Sequence, residues 1–262
     1  MRPLARLVVG VLYVFLLSPI VIIVLTSFSN DAVLAFPPQH WGFGGYAALA
    51  RNAAFRSGLG TSLLLGCTVT ALTLVAGSAA SYAIVRFRFP GRGALVALFT
   101  APLLMPTIVL GLALLLVFSQ IGLLASFSGL VLGHSLVAIP YVIRLMLTAI
   151  KGVPLALEEA AATLGASPAG VFYRVTLPMM RPALIAAGAL AFLASFDEVT
   201  ISLFLVGPRM TTLPIEVFRY VQYRADPQVS ALSVALIVLT VAIIAIVERS
   251  IGLTRAVSRQ PG

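Results

Sequence analysis

Two adjacent acids, Asp197 and Glu198, stand inside an apolar stretch of a chain in which only 10% of residues are charged. A charged side chain at the centre of a membrane-length segment costs roughly 2.5–3.5 kcal/mol, and such residues face a cavity or a charged partner. A passing cation would compensate them, and Phe196 beside them offers a ring face for a cation–π contact. The competing role is structural: one acid pairs with an arginine, or caps a kinked helix. On a continuous helix the two point about 100° apart, so only one of them faces a path. Glu158 and Glu159 form a second acid pair, in a loop between two very apolar stretches.

Other reactive residue types assemble nothing catalytic. Ser, His, Asp and Cys residues give no nucleophilic triad. The sequence has no G-x-x-x-x-G-K-[ST] phosphate loop, so ATP hydrolysis would need a separate protein. His134, alone in its span, reads as a hydrogen-bonded packing residue rather than a proton relay. Cys67, the single cysteine, reads as a small packing residue. Met105, Met146, Met179 and Met180 lack metal-binding spacing. No catalytic residue, metal ligand or cofactor is expected.

A lipid bilayer must hold these acids in place. The chain of 262 residues is 60% hydrophobic, with a mean hydropathy of +1.09, far outside the globular range. Six apolar stretches, near residues 8–28, 61–85, 94–118, 130–150, 183–205 and 230–247, approach or exceed the roughly 20 residues that cross a hydrocarbon core of about 30 Å. The expected fold is all-α: a polytopic membrane protein with six transmembrane helices, forming one domain over residues 1–262. The first stretch is longer than a signal-peptide core and lacks a small-x-small cleavage site, so it reads as a retained span. The net charge of +9 flanks apolar spans and forms no aromatic-interleaved patch, which favours a membrane surface over nucleic acid. With both termini in the cytoplasm, only Arg51, Arg56, Arg209, Arg219 and Arg224 of the 17 basic residues fall outside. That positive-inside bias puts the Glu159 loop in the cytoplasm.

The connections differ in kind. Residues 29–60, with Pro37, Pro38 and Trp41, and residues 207–229, with Pro208, Pro214 and Pro227, make two long external segments. Residues 85–93 make a short basic turn bent at Pro90-Gly91, whose arginines can meet anionic headgroups. Pro106 and Pro140 permit kinks within spans. In the loop over residues 151–182, Pro154 suits a first helical turn. Leu157, Ala160, Ala161 and Leu164 share one narrow apolar face. Gly165 ends that helix as a left-handed residue, and Ser167-Pro168 starts a second helix through about Arg174. Leu177-Pro178 and Pro182 are expected to break it before the fifth span. Because two adjacent acids are repelled by an anionic leaflet, this helix–turn–helix reads as a knob that docks on a partner.

The loop residues Glu159, Ala160, Ala161, Gly165, Val175, Leu177 and Pro178 resemble the "EAA" motif of permeases in bacterial binding-protein-dependent ABC importers, with Val175 where isoleucine is usual. The likeness extends to Ser27-Phe28-Ser29-Asn30, Arg86-Phe87-Arg88-Phe89, Met105-Pro106-Thr107-Ile108-Val109 and the stretch from Ser195 to Ser202. These residues look like the second permease subunit of the spermidine/putrescine branch. The resemblance implies an inner-membrane protein whose coupling helix, through Glu158, Glu159, Ala160, Ala161, Gly165, Leu177 and Pro178, docks on an ATPase. It further implies a second permease subunit, an ATPase dimer and a periplasmic binding protein as partners. The translocated solute would be a polyamine or related amine, passing Phe196, Asp197 and Glu198. The alternative is a stand-alone secondary carrier or channel that uses Asp197 or Glu198 for ion coupling.

Overall fold

A computed structural model describes residues 2–224 and 226–251. Among these the regular structure is helical: α1 (Arg2–Ser27), α2 (Gly44–Arg51), α3 (Ala53–Arg86), α4 (Arg92–Thr100), α5 (Thr107–Gln120), α6 (Phe127–Gly152), α7 (Leu155–Thr163), α8 (Pro168–Val171), α9 (Leu177–Phe196), α10 (Thr200–Leu205), α11 (Leu213–Tyr223) and α12 (Pro227–Ile251). A 3₁₀ turn, Ala101–Leu104, follows α4, and a π turn, Phe172–Thr176, joins α8 to α9. Five helical segments among the described residues are long and apolar enough to span a bilayer, and a bent pair brings the number to six. Arg255 and Arg259, counted on the inner side, lie outside the described residues.

The described chain forms two compact units. The first takes in residues 2–57 and 216–242. Its α1 carries no buried residue across its apolar window, as suits a helix whose solvent is lipid. Thr26 Oγ1 donates to Ser230 Oγ at 3.0 Å, and Ser27 and Tyr46 share a hydroxyl contact of 2.8 Å. The connection to α2 is organised by Asp31, whose carboxylate accepts from Ser29 Oγ, the Gln39 and His40 amides, and His40 Nδ1 at 2.8 Å. These bonds, that of His40 foremost, hold the Asp31 carboxyl at about 2, below its ordinary 3.8. The two long connections are more helical than their prolines suggest: α2 and the start of α3 lie in one, and α11 in the other.

The second unit, residues 58–215 and 243–251, is centred on α6 packed against α9. Leu130, Val142 and Met146 of α6 and Met180, Ala187 and Ala191 of α9 share one buried core with Ile201 of α10. Small residues bring the helices close, as the absence of a hydrophobic drive in lipid requires. Gly77 of α3, for example, has its missing Cβ position 2.7 Å from Val142 Cγ1. Cys67 was expected to be packed, but it faces outward.

Two spans differ from the expected ones. The third is broken: α4 with its 3₁₀ turn meets α5 at 106°. Pro106 removes an N–H and holds Met105 extended, at φ −93° and ψ 137°. The fifth starts earlier and stops sooner, running without a break from Pro168 to Phe196. Leu177-Pro178 and Pro182 therefore do not end a separate helix. The π turn ahead of Pro178 has already shifted the hydrogen-bond register that its missing N–H would interrupt. Pro140 likewise sits inside an intact α6.

Candidate functional site

The loop between α6 and the Pro168–Phe196 helix is short, and its shape follows from its residues. Pro154, extended at φ −61° and ψ 125°, is the N-cap of α7 rather than its first-turn residue. At the other end Gly165 takes φ +86°. The Gly165 amide donates to Ala162 O at 2.9 Å and the Ala166 amide to Ala161 O at 3.1 Å. That pair of bonds is a Schellman motif, which closes the orphan carbonyls of α7 and reverses the chain. Ser167 Oγ then accepts from the Gly170 amide at 3.1 Å and starts α8, as its position before Pro168 predicts.

The two acids of α7 part company. Glu158 was grouped with Glu159 as an outward partner contact, but it is buried. Its Oε1 accepts from Arg86 Nη2 at 2.8 Å, Arg86 Nε at 3.2 Å and Thr176 Oγ1 at 2.7 Å. Arg86 Nη2 also donates to Val153 O at 3.0 Å, just before α7 begins. Arg86 was expected to face lipid headgroups. It instead fastens the start and first turn of α7 to the end of α3, while Thr176 fastens them to the π turn. Tyr82 packs edge-on to Phe172, centroids 5.2 Å apart, and closes the same junction.

This bracing leaves an apolar ridge outside. Leu164 is 89% exposed, Leu157 and Ala160 are exposed, and Ala161 is half-buried. Glu159 is exposed too, on a different face of α7 from the leucines, and Gly165 is exposed at the turn. Leu177 is half-buried and Pro178 exposed, further along the Pro168–Phe196 helix. A short helix that turns leucines outward and buries Glu158 presents a surface for something else to cover.

At the far end of that helix the acid pair occupies a break. Asp197 is the C-cap of α9, and residues 197–199 separate it from α10. The pair therefore does not project from one continuous helix. Glu198 Oε1 accepts from the Ile201 amide at 2.9 Å and so satisfies a donor in the first turn of α10. Asp197 is exposed at the negative end of α9. Phe196 is not a free ring face: it is buried and stacks on Phe192, centroids 5.4 Å apart.

His134 holds the break together. Fully buried in α6, its Nδ1 lies 3.1 Å from both Ser195 O and Ser195 Oγ, and its Nε2 lies 2.9 Å from Ser202 Oγ. The expectation of a hydrogen-bonded packing histidine describes it well, and the partners show what it packs: one residue on each side of the break. Thr176 was not singled out in the sequence, and Arg86, Ser195 and Ser202 entered it only through the basic turn and the family resemblance, not as contacts that hold the loop or the break. The two serines flank the acid pair seven residues apart, a pattern that could have drawn attention to a break. Among the described residues no group of three or more His, Cys, Asp or Glu could hold a metal.

Comparison with known proteins gives consistent results. The family described as "Binding-protein-dependent transport system inner membrane component" matches residues 72–254. The putrescine transport system permease protein PotI of Escherichia coli K12 is 36% identical over 84% of this chain and 81% of its own length. The spermidine/putrescine permease PotC of Haemophilus influenzae is 30% identical over 89% of this chain and 91% of its own. A crystal structure of a bacterial alginate ABC transporter in complex with an alginate pentasaccharide-bound periplasmic protein shares the fold, with a TM-score of 0.72 at 17% identity, over 100% of this chain and 96% of that one.

Proposed function

We propose, on the premise that this chain belongs to the inner membrane components of binding-protein-dependent transport systems, that it forms one side of the path of an ATP-driven importer and engages its ATPase through α7. The observation that carries the reading is the outward ridge of Leu157 and Leu164, with Glu159 also exposed on the same short helix, braced from behind by Arg86, Glu158 and Thr176. A surface that transmits force must be both exposed and braced, and α7 is both. Its partners would be an ATPase dimer, a different permease chain and a periplasmic binding protein. The similar alginate transporter was crystallised with a periplasmic protein, which supports the last of these. The positive-inside bias supports cytoplasmic termini and a cytoplasmic α7. An ion-coupled carrier would have no use for such a ridge.

For the solute we propose a polyamine or related amine. PotI and PotC are named for putrescine and spermidine. The exposed Asp197 at the carbonyl end of α9 concentrates negative potential at a helix break, an arrangement that suits a cation.

Glu159→Lys and Leu164→Asp alter exposed side chains and so leave the fold untouched. Each should insert normally, lose transport, and fail to recover the co-expressed ATPase in pull-downs. Full transport by both variants would remove the basis for the reading. In a Cys67→Ser background, Thr163→Cys should react with impermeant maleimide only from the cytoplasmic side, and Ala48→Cys only from outside.

A further inference from the structure

A second feature of the same unit has no place in the transport scheme. Where α3 ends, α4 begins and α6 ends, the three helices enclose a cleft of about 400 Å³. Ile84, Val85, Val96 and Leu147 give it an apolar lining, and Arg92 and Lys151 line it as well. Both basic side chains are exposed, and neither has a carboxylate partner among the described residues. The first turn of α4 has no side-chain cap, since its N-cap is Gly91.

We propose that this cleft binds one anionic glycerophospholipid, with its phosphate between Arg92 and Lys151 and an acyl chain along the apolar lining. The location fits such a ligand. α3 stops at Arg86, α4 starts at Arg92 and α6 stops at Gly152, so the cleft lies at the level where spans give way to headgroups. Two unpaired cations above an apolar groove match a molecule that is itself anionic at one end and apolar at the other. A soluble phosphate would leave the apolar lining in contact with lipid or water. A zwitterionic lipid would bring its own cation against Arg92 and Lys151. The uncapped amides of α4 add donors of the right polarity next to Arg92. The assignment depends on the chain lying in a membrane, and not on what it transports.

The test is quenching of a single indole in the full-length chain. Val96→Trp and, separately, Leu147→Trp place the reporter on opposite walls, in a Trp41→Phe background and in phosphatidylcholine vesicles. Brominated phosphatidylglycerol is then titrated in, with brominated phosphatidylcholine as the reference. A basic group near an anionic headgroup is worth about fivefold in occupancy, so the two together give about 30-fold selectivity. Quenching should thus be half complete near a mole ratio of about 1 to 30. Arg92→Gln and Lys151→Gln should each reduce the selectivity about fivefold, and the double variant should abolish it. Inorganic phosphate added to the vesicles should leave the titration unchanged. Equal quenching by the two lipids at both reporters, selectivity that survives in the double variant, or displacement by inorganic phosphate would each overturn the assignment.

Discussion

Removing Glu158 tests whether α7 is braced from behind. Its Oε1 collects three N–H or O–H donors, and the side chains of Arg86 and Glu158 are only 12% and 8% exposed. Little solvent screening applies at that depth, so the exposed-pair value of under about 1 kcal/mol does not describe this contact. Taking one partner from a buried pair costs about 3–5 kcal/mol, because the remaining charge loses its compensation. Arg86 in Glu158→Ala would keep only the Val153 carbonyl, which argues for the lower end, about 3 kcal/mol. That corresponds to about 150-fold faster amide exchange on α7, limited by the opening free energy of the helix itself. Hydrogen exchange read by mass spectrometry on peptides covering 155–166 should show this, with α6 and α9 unchanged. Glu158→Gln keeps a neutral acceptor and should give an intermediate increase. Glu159→Gln, one residue away but exposed, should give none. Arg86→Met with Glu158→Leu removes both charges and should restore most of the protection. If Glu158→Ala exchanges within about threefold of the parent, or if Glu159→Gln has the same effect, the brace is not what holds α7.

Three other outcomes follow from the same geometry. Asp197→Asn keeps size and hydrogen bonding while removing the charge at the break; it should lower polyamine transport about 5- to 150-fold, for about 1–3 kcal/mol, with ATPase recovery unchanged. Gly165→Val meets no atom within 4 Å but forces a β-branched residue to φ +86°, at a cost of roughly 1–2 kcal/mol; transport and ATPase recovery should fall, while Gly165→Asn should be tolerated better. Because the Asp31 carboxyl is depressed to about 2 by its bonds from His40 and the Gln39 amide, its contribution to loop order is complete above about 3.8 and is lost as pH falls through about 2. The fluorescence anisotropy of Trp41, the single tryptophan, should drop over that window in the parent and be flat there in Asp31→Asn.

The legible parts of the chain were those in which one residue type has one physical use. Gly165 and Ser167-Pro168 announced a helix end and a helix start, and the structure has both. Apolar length announced the spans. The break at Asp197 was harder to see because no Pro or Gly marks it. Its signals are Glu198 three residues before Ile201, which is the spacing of a side-chain cap, and two serines that bond to a histidine 61 and 68 residues away. The inward turn of Glu158 depends on Arg86, 72 residues earlier, and no local pattern reports such a pairing. The prolines at 178 and 182 misled for a similar reason. A π turn that precedes a proline can carry a helix through it, and nothing in Phe172–Thr176 advertises one.

The uninterrupted run from Pro168 to Phe196 has a mechanical consequence. Its 29 residues, at about 1.5 Å each, make a strut about 43 Å long. One end is the turn that carries Gly165, and the other is the acidic gap clasped by His134. A strut cannot be pushed at one end and stay still at the other. The π turn within it lies next to the Thr176 contact to Glu158, so the brace of α7 bears directly on this helix. Under the proposed coupling, work delivered at the α7 ridge would reach Asp197 as a shift or a rotation of this one helix.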